Sequence, residues 1–276
     1  DTIQVTLGQK HRRSLPLTKE DIENIDLDKA IDFYKNRFAD ASDFTFIFVG
    51  NYDEEKMKGM LEKYVASLPS VKRDEKWKDV GMRYPSGNIE KEVFKGMEEK
   101  SQVRLAITGD FDYNRKNRFM LNAMNEVLRI RLREVIREDK GGVYGIGSYA
   151  SMDQYPYENY LIQVVFGTAP KKVDGLIETV YDIMDEIKEG DFGKEYVSKV
   201  KEIMSRSYET NIKENRFWLS NIYYYTFNAE DPGWIKKYNA LVKELDKDMI
   251  VDAANEYLDR DNLVEVVLYP EEHKNK

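Results

Sequence analysis

Two hydrogen-bond donors seven residues apart, Arg137 and Tyr144, are the side chains of this sequence whose types and spacing best fit contact with a peptide. They flank Gly141-Gly142, a pair that ends a helix and precedes a strand. A guanidinium offers forked donors to a carbonyl or carboxylate, and a phenol can donate to a developing oxyanion. The pattern predicts a helix-to-strand corner where both groups could reach a peptide carbonyl.

Two further glycines, Gly145 and Gly147, alternate along the predicted strand that follows. Successive strand residues point to opposite faces, so these glycines would leave one face bare and let another backbone approach closely. The candidate substrate-binding residues are therefore Arg137, Tyr144, Gly145 and Gly147, with Arg133 as a competing cation one helical turn earlier. Each residue alone also fits an ordinary structural role, such as a solvent-facing arginine at the end of a helix.

The segment from Leu132 to Gly145 resembles the Arg/Tyr substrate-contact segment in the C-terminal half of the pitrilysin/insulinase-type (M16) zinc metallopeptidases. The resemblance covers most of the chain. It implies that Arg137 and Tyr144 contact substrate beside a zinc ion and that Tyr144 helps to stabilise the transition state. It also implies a bacterial-like parent of four domains, located in the periplasm or cell envelope.

The sequence predicts no metal site of its own. A catalytic zinc needs about three protein ligands, usually including two histidines, and this chain has only His11 and His273, near its two ends, and no cysteine. Neither H-x-x-E-H nor H-E-x-x-H occurs. The family's zinc motif lies in the N-terminal half, so the resemblance implies that zinc belongs to the parent protein and that this chain alone is inactive.

Three functions remain open from the sequence. In the first, the chain is the zinc-lacking C-terminal portion of a peptidase. In that case the chain forms part of a chamber wall, and Arg137 and Tyr144 contact the substrate. Its partners are a peptide substrate and the N-terminal half of the same protein or a related subunit. The second is a non-catalytic scaffold or partner subunit of an M16-like complex. A free-standing peptide-binding module is the third, and the incomplete first repeat described below argues against it.

The composition narrows the class of protein. Hydrophobic residues make up 41% and aromatic residues 12% of the 276 residues, which is enough for a folded core. The net charge of −8 argues against nucleic acid as the main partner. No apolar run approaches the roughly 20 residues that a membrane helix needs, and no phosphate loop or dinucleotide-binding fingerprint is present.

An internal repeat predicts the domain organisation. Residues Ile25 to Phe48 align without a gap on Leu245 to Leu268 at a constant offset of 220. Acidic residues match in three places and apolar residues in five; the pairs are Asp26/Asp246, Asp28/Asp248, Asp32/Asp252, Ile31/Val251, Phe38/Leu258, Phe44/Val264, Phe46/Val266 and Phe48/Leu268. We therefore expect residues 1–70 to be the C-terminal part of an incomplete first repeat domain, 71–87 a linker, and 88–276 a complete second repeat domain.

The hydrophobic periodicity predicts an α+β fold with a mixed or antiparallel sheet packed on a layer of helices. The M16 resemblance implies the same architecture, in a duplicated domain. The first repeat contributes a predicted strand at 44–49, and the second contributes strands near 89–94, 102–108, 143–151, 157–166 and 263–268. A helix is predicted from about 114 to 138, and it ends at the Arg137 corner.

Overall fold

The computed structural model describes residues 1–139 and 143–275, and it describes no side chain for residues 137–139, 144 and 275. The chain forms two compact units. The sheet unit comprises Asp1–Leu15, Asp79–Arg206 and Asn239–Lys276, and the helical unit comprises Pro16–Lys78 and Ser207–Tyr238. The two units are defined by the packing of residues within each of them. The domain borders at residues 70 and 88 were inferred from sequence duplication, and they stay a prediction.

The sheet unit is built on one five-stranded sheet whose spatial order is β1-β5-β2-β4-β3. Its strands are β1 (Ile89–Phe94), β2 (Ser101–Asp110), β3 (Val143–Asp153), β4 (Asn159–Thr168) and β5 (Leu263–Tyr269). Strand β5 is parallel to β1 and antiparallel to β2, and the β2–β4 and β3–β4 pairs are antiparallel. The predicted mixed sheet is confirmed, and each predicted strand of this unit lies within two residues of an observed one.

Ten α-helices lie in the part of the chain that the structure describes. They are α1 (Thr2–Leu7), α2 (Lys19–Glu23), α3 (Leu27–Arg37), α4 (Glu54–Tyr64), α5 (Arg115–Leu132), α6 (Val173–Glu189), α7 (Lys194–Asn211), α8 (Asn215–Phe227), α9 (Tyr238–Glu244) and α10 (Lys247–Tyr257). No helix in the described residues is both long enough and apolar enough to cross a bilayer.

Helices α5, α6 and α10 pack against one another and form the layer over one face of the sheet. Val103, Leu105 and Ile107 of β2 are almost completely buried, whereas Gln102 just before them and Arg104 between the first two are exposed. This alternation is typical of a strand with one face on a core and the other towards solvent. The α+β class, with helices gathered on one face, is therefore confirmed.

The N-terminal segment forms a helix that the sequence analysis did not predict. Helix α1 buries Ile3 and Leu7, one helical turn apart, against Ala106, Val264 and Val266. These sheet residues belong to the face opposite the helix layer, which we call the open face. Helix α1 therefore covers one part of the open face and leaves the rest uncovered.

The predicted strand at 44–49 is wrong for this chain. Residues 44–49 belong to no sheet, and the helical unit contains no strand among its described residues. The backbone N–H and C=O groups of residues 45–49 also make no hydrogen bond with described residues. A strand exists only when a neighbour accepts and donates these hydrogen bonds, and the helical unit supplies none.

A buried carboxylate fixes the start of the predicted linker. Asp40 accepts hydrogen bonds from the backbone N–H groups of Ser42 (3.0 Å), Val71 (3.0 Å) and Arg73 (2.7 Å). Lys72, between the last two donors, has a φ of 55°. The donors, led by the N–H of Arg73, hold the pKa of Asp40 well below its usual value. Residues 71–73 are therefore anchored to the helical unit by their own backbone.

Candidate functional site

The predicted contacts lie at a helix-to-strand corner. This corner begins where α5 changes from an α-helix to a π-helix. Helix α5 ends at Leu132 and continues as a π-helix over Arg133–Asp139. Leu132 and Ile136 are fully buried there, whereas Arg133, the competing candidate, is exposed. Single turns of π-helix occur often at functional sites because they redirect the chain locally.

The side chains of Arg137 and Tyr144 lie outside the described residues, as do Lys140, Gly141 and Gly142. Their predicted contacts therefore stay a prediction. The backbone of residue 144 is described: the register of β3 against β4 shifts between Val143 and Gly145, which makes residue 144 the extra residue of a β-bulge. Bulges of this kind are over-represented next to active sites.

A network of side chains holds the corner in place from the helix side. Glu134 accepts hydrogen bonds from the Tyr196 hydroxyl and from Lys199 Nζ, the latter at 3.0 Å. Arg131 donates to Glu186 at 2.5 Å and to the Tyr196 hydroxyl at 3.3 Å. Burial opposes ionisation of Glu134, but the two donors outweigh it, and its pKa is lowered. The network therefore ties the π-helix to helices α6 and α7 through charged groups.

The open face of the sheet carries a row of residues that ends at a glycine. In register across the strands, Arg104 of β2 lies beside Val266 of β5 and Val165 of β4, and Val165 lies opposite Gly147 of β3. Residues directly opposite each other point to the same face. The side chain of Arg104 and the bare backbone at Gly147 therefore belong to one surface. Arg104 has no hydrogen-bonded or ion-paired partner among the described residues.

The neighbouring row of residues across β2, β4 and β3 carries fewer side chains. Gln102 lies opposite Gly167, and Gly167 lies opposite Gly145, so two adjacent strands present no side chain there. A Cβ atom at Gly145 would meet no atom of the described residues within 4 Å. The predicted bare face at Gly145 is thus present and open. It forms a shallow trough over β3 and β4, bordered by polar side chains of β2.

Tyr149 continues the glycine alternation on the same strand. It is 67% exposed, and a Cβ atom at Gly147 would lie 3.1 Å from the Tyr149 hydroxyl oxygen. The phenol ring therefore lies over the strand backbone at Gly147, where a larger residue would require the ring to shift by a few tenths of an ångström. Tyr149 adds a second hydroxyl to the strand that carries Tyr144, and this one is described.

A cavity of about 1040 Å³ lies on the open face between helix α1 and the sheet. Its lining includes Gln102 and Arg104 of β2 and Gln163 of β4. Asp153, whose pKa is raised by burial, also lines the cavity. The sheet side of the cavity therefore offers a cation and two amides to a ligand, among apolar side chains such as Leu161, Val266 and Leu268.

Sequence reasoning did not find Arg104 or Tyr149. The alternation of Val103, Leu105 and Ile107 carried the signal for Arg104, because a buried face on those residues places Arg104 on the opposite one. Tyr149 follows Gly145 and Gly147 at intervals of two residues, so it shares their face. Both residues could have been found by asking what else lies on the face that the glycines leave bare.

The residues of this chain do not fit a catalytic zinc. In His11, Nδ1 accepts from the Arg13 N–H at 3.2 Å and Nε2 lies 3.3 Å from the Val80 carbonyl oxygen, so both nitrogens have local partners. His273 lies with Glu99 and Glu272, the one group of three potential ligands among the described residues. Both carboxylates are exposed and only one histidine is present, unlike the two-histidine sets of zinc peptidases.

The comparison with known sequences identifies the domain type. Residues 24–204 match the family described as the Peptidase M16 inactive domain. The chain is also 22% identical over 186 residues to the "Probable zinc protease PqqL" of Haemophilus influenzae, an alignment that covers 67% of this chain and 19% of that protein. The chain thus spans about a fifth of the length of this curated relative.

The comparison with solved structures agrees on the fold. The periplasmic protease PqqL from Escherichia coli superposes with a TM-score of 0.79 at 22% identity, over 94% of this chain and 29% of that one. The peptidase M16 inactive domain from Pseudomonas fluorescens superposes with a TM-score of 0.79 at 16% identity, over 98% of this chain and 64% of that one. Because the family match covers more than half of the sequence, the chain belongs to the M16 peptidase family and carries its inactive, zinc-lacking domain.

Proposed function

We propose that this chain is the non-catalytic portion of an M16 zinc peptidase and that the open face of its sheet forms part of the wall against which a peptide substrate lies. The observation that carries the proposal is the trough at Gly145 and Gly167 beside Arg104, whose side chain has no partner among the described residues. An extended peptide needs close backbone approach and polar groups at its edges, and this surface offers both.

The roles proposed for Arg137 and Tyr144 follow from the position of the helix-to-strand corner at the start of β3. Arg137 would donate to a substrate carbonyl or carboxylate, and Tyr144 would donate to the oxygen of the scissile carbonyl as negative charge develops on it. The π-helix and the bulge at residue 144 support this assignment, since both are local irregularities of the kind found at active sites. Gly145 would leave room for the peptide backbone, whereas the Tyr149 ring lies over Gly147.

The zinc and the water that it activates belong, in this proposal, to the N-terminal half of the same protein or to a related subunit. Named relatives of this chain are zinc proteases, and the two histidines of this chain do not form such a site. The proposed substrate is a peptide. A periplasmic location is also part of the proposal, because the structurally similar PqqL of Escherichia coli is a periplasmic protease.

The test is a peptide-hydrolysis assay in which this chain is combined with the zinc-bearing half. A quenched fluorescent peptide reports cleavage by the wild-type chain and by the Tyr144→Phe and Arg137→Ala variants. Tyr223→Phe is the matched control, because Tyr223 is an exposed tyrosine of the helical unit. We expect kcat to fall about 10²- to 10³-fold for Tyr144→Phe, the loss typical of one oxyanion donor.

Two other results would change the conclusion. Cleavage that needs both halves but is indifferent to Tyr144→Phe and Arg137→Ala would leave this chain as a wall without those contacts. A folded, zinc-loaded mixture that cleaves nothing would favour the alternative function, a non-catalytic scaffold or partner subunit of an M16-like complex.

A further inference from the structure

The open face of the sheet separates its charged side chains by sign. Lys91 of β1 and Arg104 of β2 lie on either side of the same β5 residue, in one row across the sheet. In the row at the far end of β2, Asp110 lies opposite Asn159, and Asn159 lies opposite Asp153. Among the strand residues that the structure describes on this face, Lys91, Arg104, Asp110 and Asp153 carry all the charge. The open face is therefore cationic at one end of its strands and acidic at the other.

The acidic end is too distant to neutralise the cations. Asp110 follows Arg104 by six residues on β2, and a strand rises about 3.4 Å per residue, so roughly 20 Å separates the two rows. The screening length in physiological salt is about 8 Å. The field at Arg104 therefore depends on its nearer neighbours.

Strand β1 directs its acidic residues away from these cations. Glu90 and Glu92 alternate with Lys91, so they point to the face that carries the helix layer. Lys95, one residue beyond the strand, continues the alternation on the open face, because its backbone N–H still donates to the Tyr269 carbonyl at 2.9 Å. The lysines of this segment thus share the open face with Arg104.

Acidic residues also lie in the loop between β1 and β2, and two of them have partners of their own. Glu98 accepts a hydrogen bond from Lys100 Nζ at 2.8 Å, and Glu99 Oε1 lies 3.2 Å from His273 Nε2. In contrast, the side chains of Lys95 and Arg104 have no hydrogen-bonded or ion-paired partner in the described part of the chain. Their charges are therefore available to a ligand.

The cavity between α1 and the sheet collects these charges. Its charged lining residues are four cations and two acids, namely Arg13, Arg83, Lys95, Arg104, Asp1 and Asp153. Arg83 forms an ion pair with Asp79 at 2.5 Å, and the other three cations have no such partner among the described residues. In a chain whose net charge is −8, this excess of unpaired cations in one cavity indicates an anionic ligand.

The chemistry around Arg104 fits a carboxylate on an apolar chain. A guanidinium binds a carboxylate through two parallel hydrogen bonds, and Gln102, on the same face, can donate a further one. Leu161, Val266 and Leu268 line the same cavity and suit aliphatic side chains. Glutamate or aspartate beside an aliphatic residue provides both groups.

The position of the cations favours a peptide over a small molecule. Gln102 lines the cavity and lies opposite Gly167 of the trough, so the two surfaces are continuous. Strands β2 and β3 are both antiparallel to β4, and both therefore begin at the same end of the sheet. Arg104 lies two strands, or roughly 10 Å, from the backbone of Gly147. The cationic end is thus the end at which the helix-to-strand corner leads into β3.

We propose that the cationic end of the open face selects acidic peptides. A glutamate or aspartate side chain of the bound peptide pairs with Arg104, assisted by Lys95 and Arg13, while a neighbouring aliphatic side chain enters the cavity. The inference rests on the proposed function, since it names the class of peptide that lies against the same wall.

The experiment is a calorimetric titration of this chain with two synthetic peptides. One is a short unstructured peptide of serine, leucine and glutamate residues, and the other is the same peptide with every glutamate replaced by glutamine. We expect the acidic peptide to bind at least about tenfold more tightly at low salt, the range of one charge-assisted hydrogen bond. The difference should shrink as salt is added. Equal binding of the two peptides, or binding of neither, would overturn the proposal.

Arg104→Gln assigns the preference to the cationic end. Arg104 is exposed and has no partner among the described residues, so this substitution removes no contact of the described fold. We expect it to raise the Kd of the acidic peptide about tenfold and to leave that of the glutamine peptide unchanged. Arg206→Gln is the matched control, because it removes the same charge from an exposed arginine of α7. Equal effects of the two substitutions would attribute the preference to net charge and overturn the proposal.

Failure of this inference can be told apart from failure of the proposed function. The hydrolysis assay with the zinc-bearing half is repeated with a quenched version of the glutamine peptide. If Tyr144→Phe still lowers its cleavage while the titrations show no preference for glutamate, the chain remains a peptidase wall and only the selection of acidic peptides is overturned.

Discussion

Asp26 and Asp246, 220 residues apart, cap two helices in the same way. Asp26 Oδ1 accepts a hydrogen bond from the Lys29 N–H at 3.1 Å, and Asp246 Oδ1 accepts one from the Met249 N–H at 2.9 Å. In each case the carboxylate satisfies an N–H group of the first helical turn that has no partner within the helix. The two segments that align at an offset of 220 thus agree in the hydrogen bond that starts the helix as well as in sequence.

Removing the cap of the second copy is expected to destabilise the sheet unit. Asp246→Ala should lower the free energy of unfolding by about 1 kcal/mol, the usual cost of a lost N-cap. Asp246→Asn should cost much less, because an amide oxygen can accept the same hydrogen bond. Urea denaturation followed by circular dichroism measures both variants, and equal losses would show that the cap hydrogen bond does not contribute.

Equivalent positions of the two repeats should respond oppositely to the same charge. Ala253 is fully buried in α10, so Ala253→Asp places a carboxylate in the core and should cost several kcal/mol or unfold the sheet unit. Phe33, its equivalent in α3, is 68% exposed, and Phe33→Asp should change stability by no more than about 0.5 kcal/mol in this chain alone. Thermal unfolding of the two variants checks the contrast, which similar shifts would contradict.

A methyl group added in the trough should weaken peptide binding without lowering the stability of the fold. In the described part of the chain nothing lies within 4 Å of a Cβ at Gly145, so Gly145→Ala should leave the unfolding midpoint unchanged or slightly higher. The methyl group would stand where the peptide backbone approaches, and we expect peptide binding to weaken by about 1 kcal/mol, the order of one lost hydrogen bond. Calorimetric titration with an unstructured peptide measures the loss.

Gly147→Ala provides a comparison on the same face. Its Cβ would lie 3.1 Å from the Tyr149 hydroxyl oxygen, so the ring must shift. If Gly145→Ala binds peptide as tightly as the wild type, the trough is not the binding surface.

The carboxylate of Asp40 should make the helical unit sensitive to acid. Its pKa in the folded protein is lowered from the ordinary 3.8, because the backbone N–H of Arg73, with those of Ser42 and Val71, stabilises the ionised form. Its stabilising contribution is therefore complete above the unfolded-state pKa and is lost as the pH falls through the lower folded-state pKa.

The matched variant is Asp40→Asn, which cannot titrate. It should be less stable than the wild type at neutral pH, and the difference should shrink as the pH is lowered from about 5 to about 2. Urea unfolding of both proteins at a series of pH values measures this difference. A difference that stays constant down to the lowest pH would rule out Asp40 as the titrating group.

The sequence predicted the elements whose cause is local. The alternation of Val103, Leu105 and Ile107 predicted β2, because burial on one face is already visible as a period of two. The sequence did not predict helix α1, because its six residues carry little more than Ile3 and Leu7 as an apolar side. Residues 44–49 were predicted as a strand from their own composition, but strand formation depends on neighbours that the segment lacks.

The candidate site was predictable only in part. The bare face at Gly145 follows from glycine spacing, and the structure leaves that face open. The pairing of Gly145 with Gly167, and the position of Arg104 in the next row, depend on the register of three strands that are distant in sequence. Strand register is set by tertiary packing, so the sequence alone could not reveal the trough. The contacts of Arg137 and Tyr144 stay a prediction.

The position of β5 inside the sheet has a consequence for synthesis on the ribosome. Strand β1 has β5 as its neighbour in the sheet, yet β5 is the last of the five strands of this sheet to be translated. About 170 residues separate Phe94 from Leu263, so at 5–20 residues per second β1 waits roughly 10–30 s for its partner. During that interval β1 and one edge of β2 are exposed in the nascent chain, at the stage when a chaperone would be most needed.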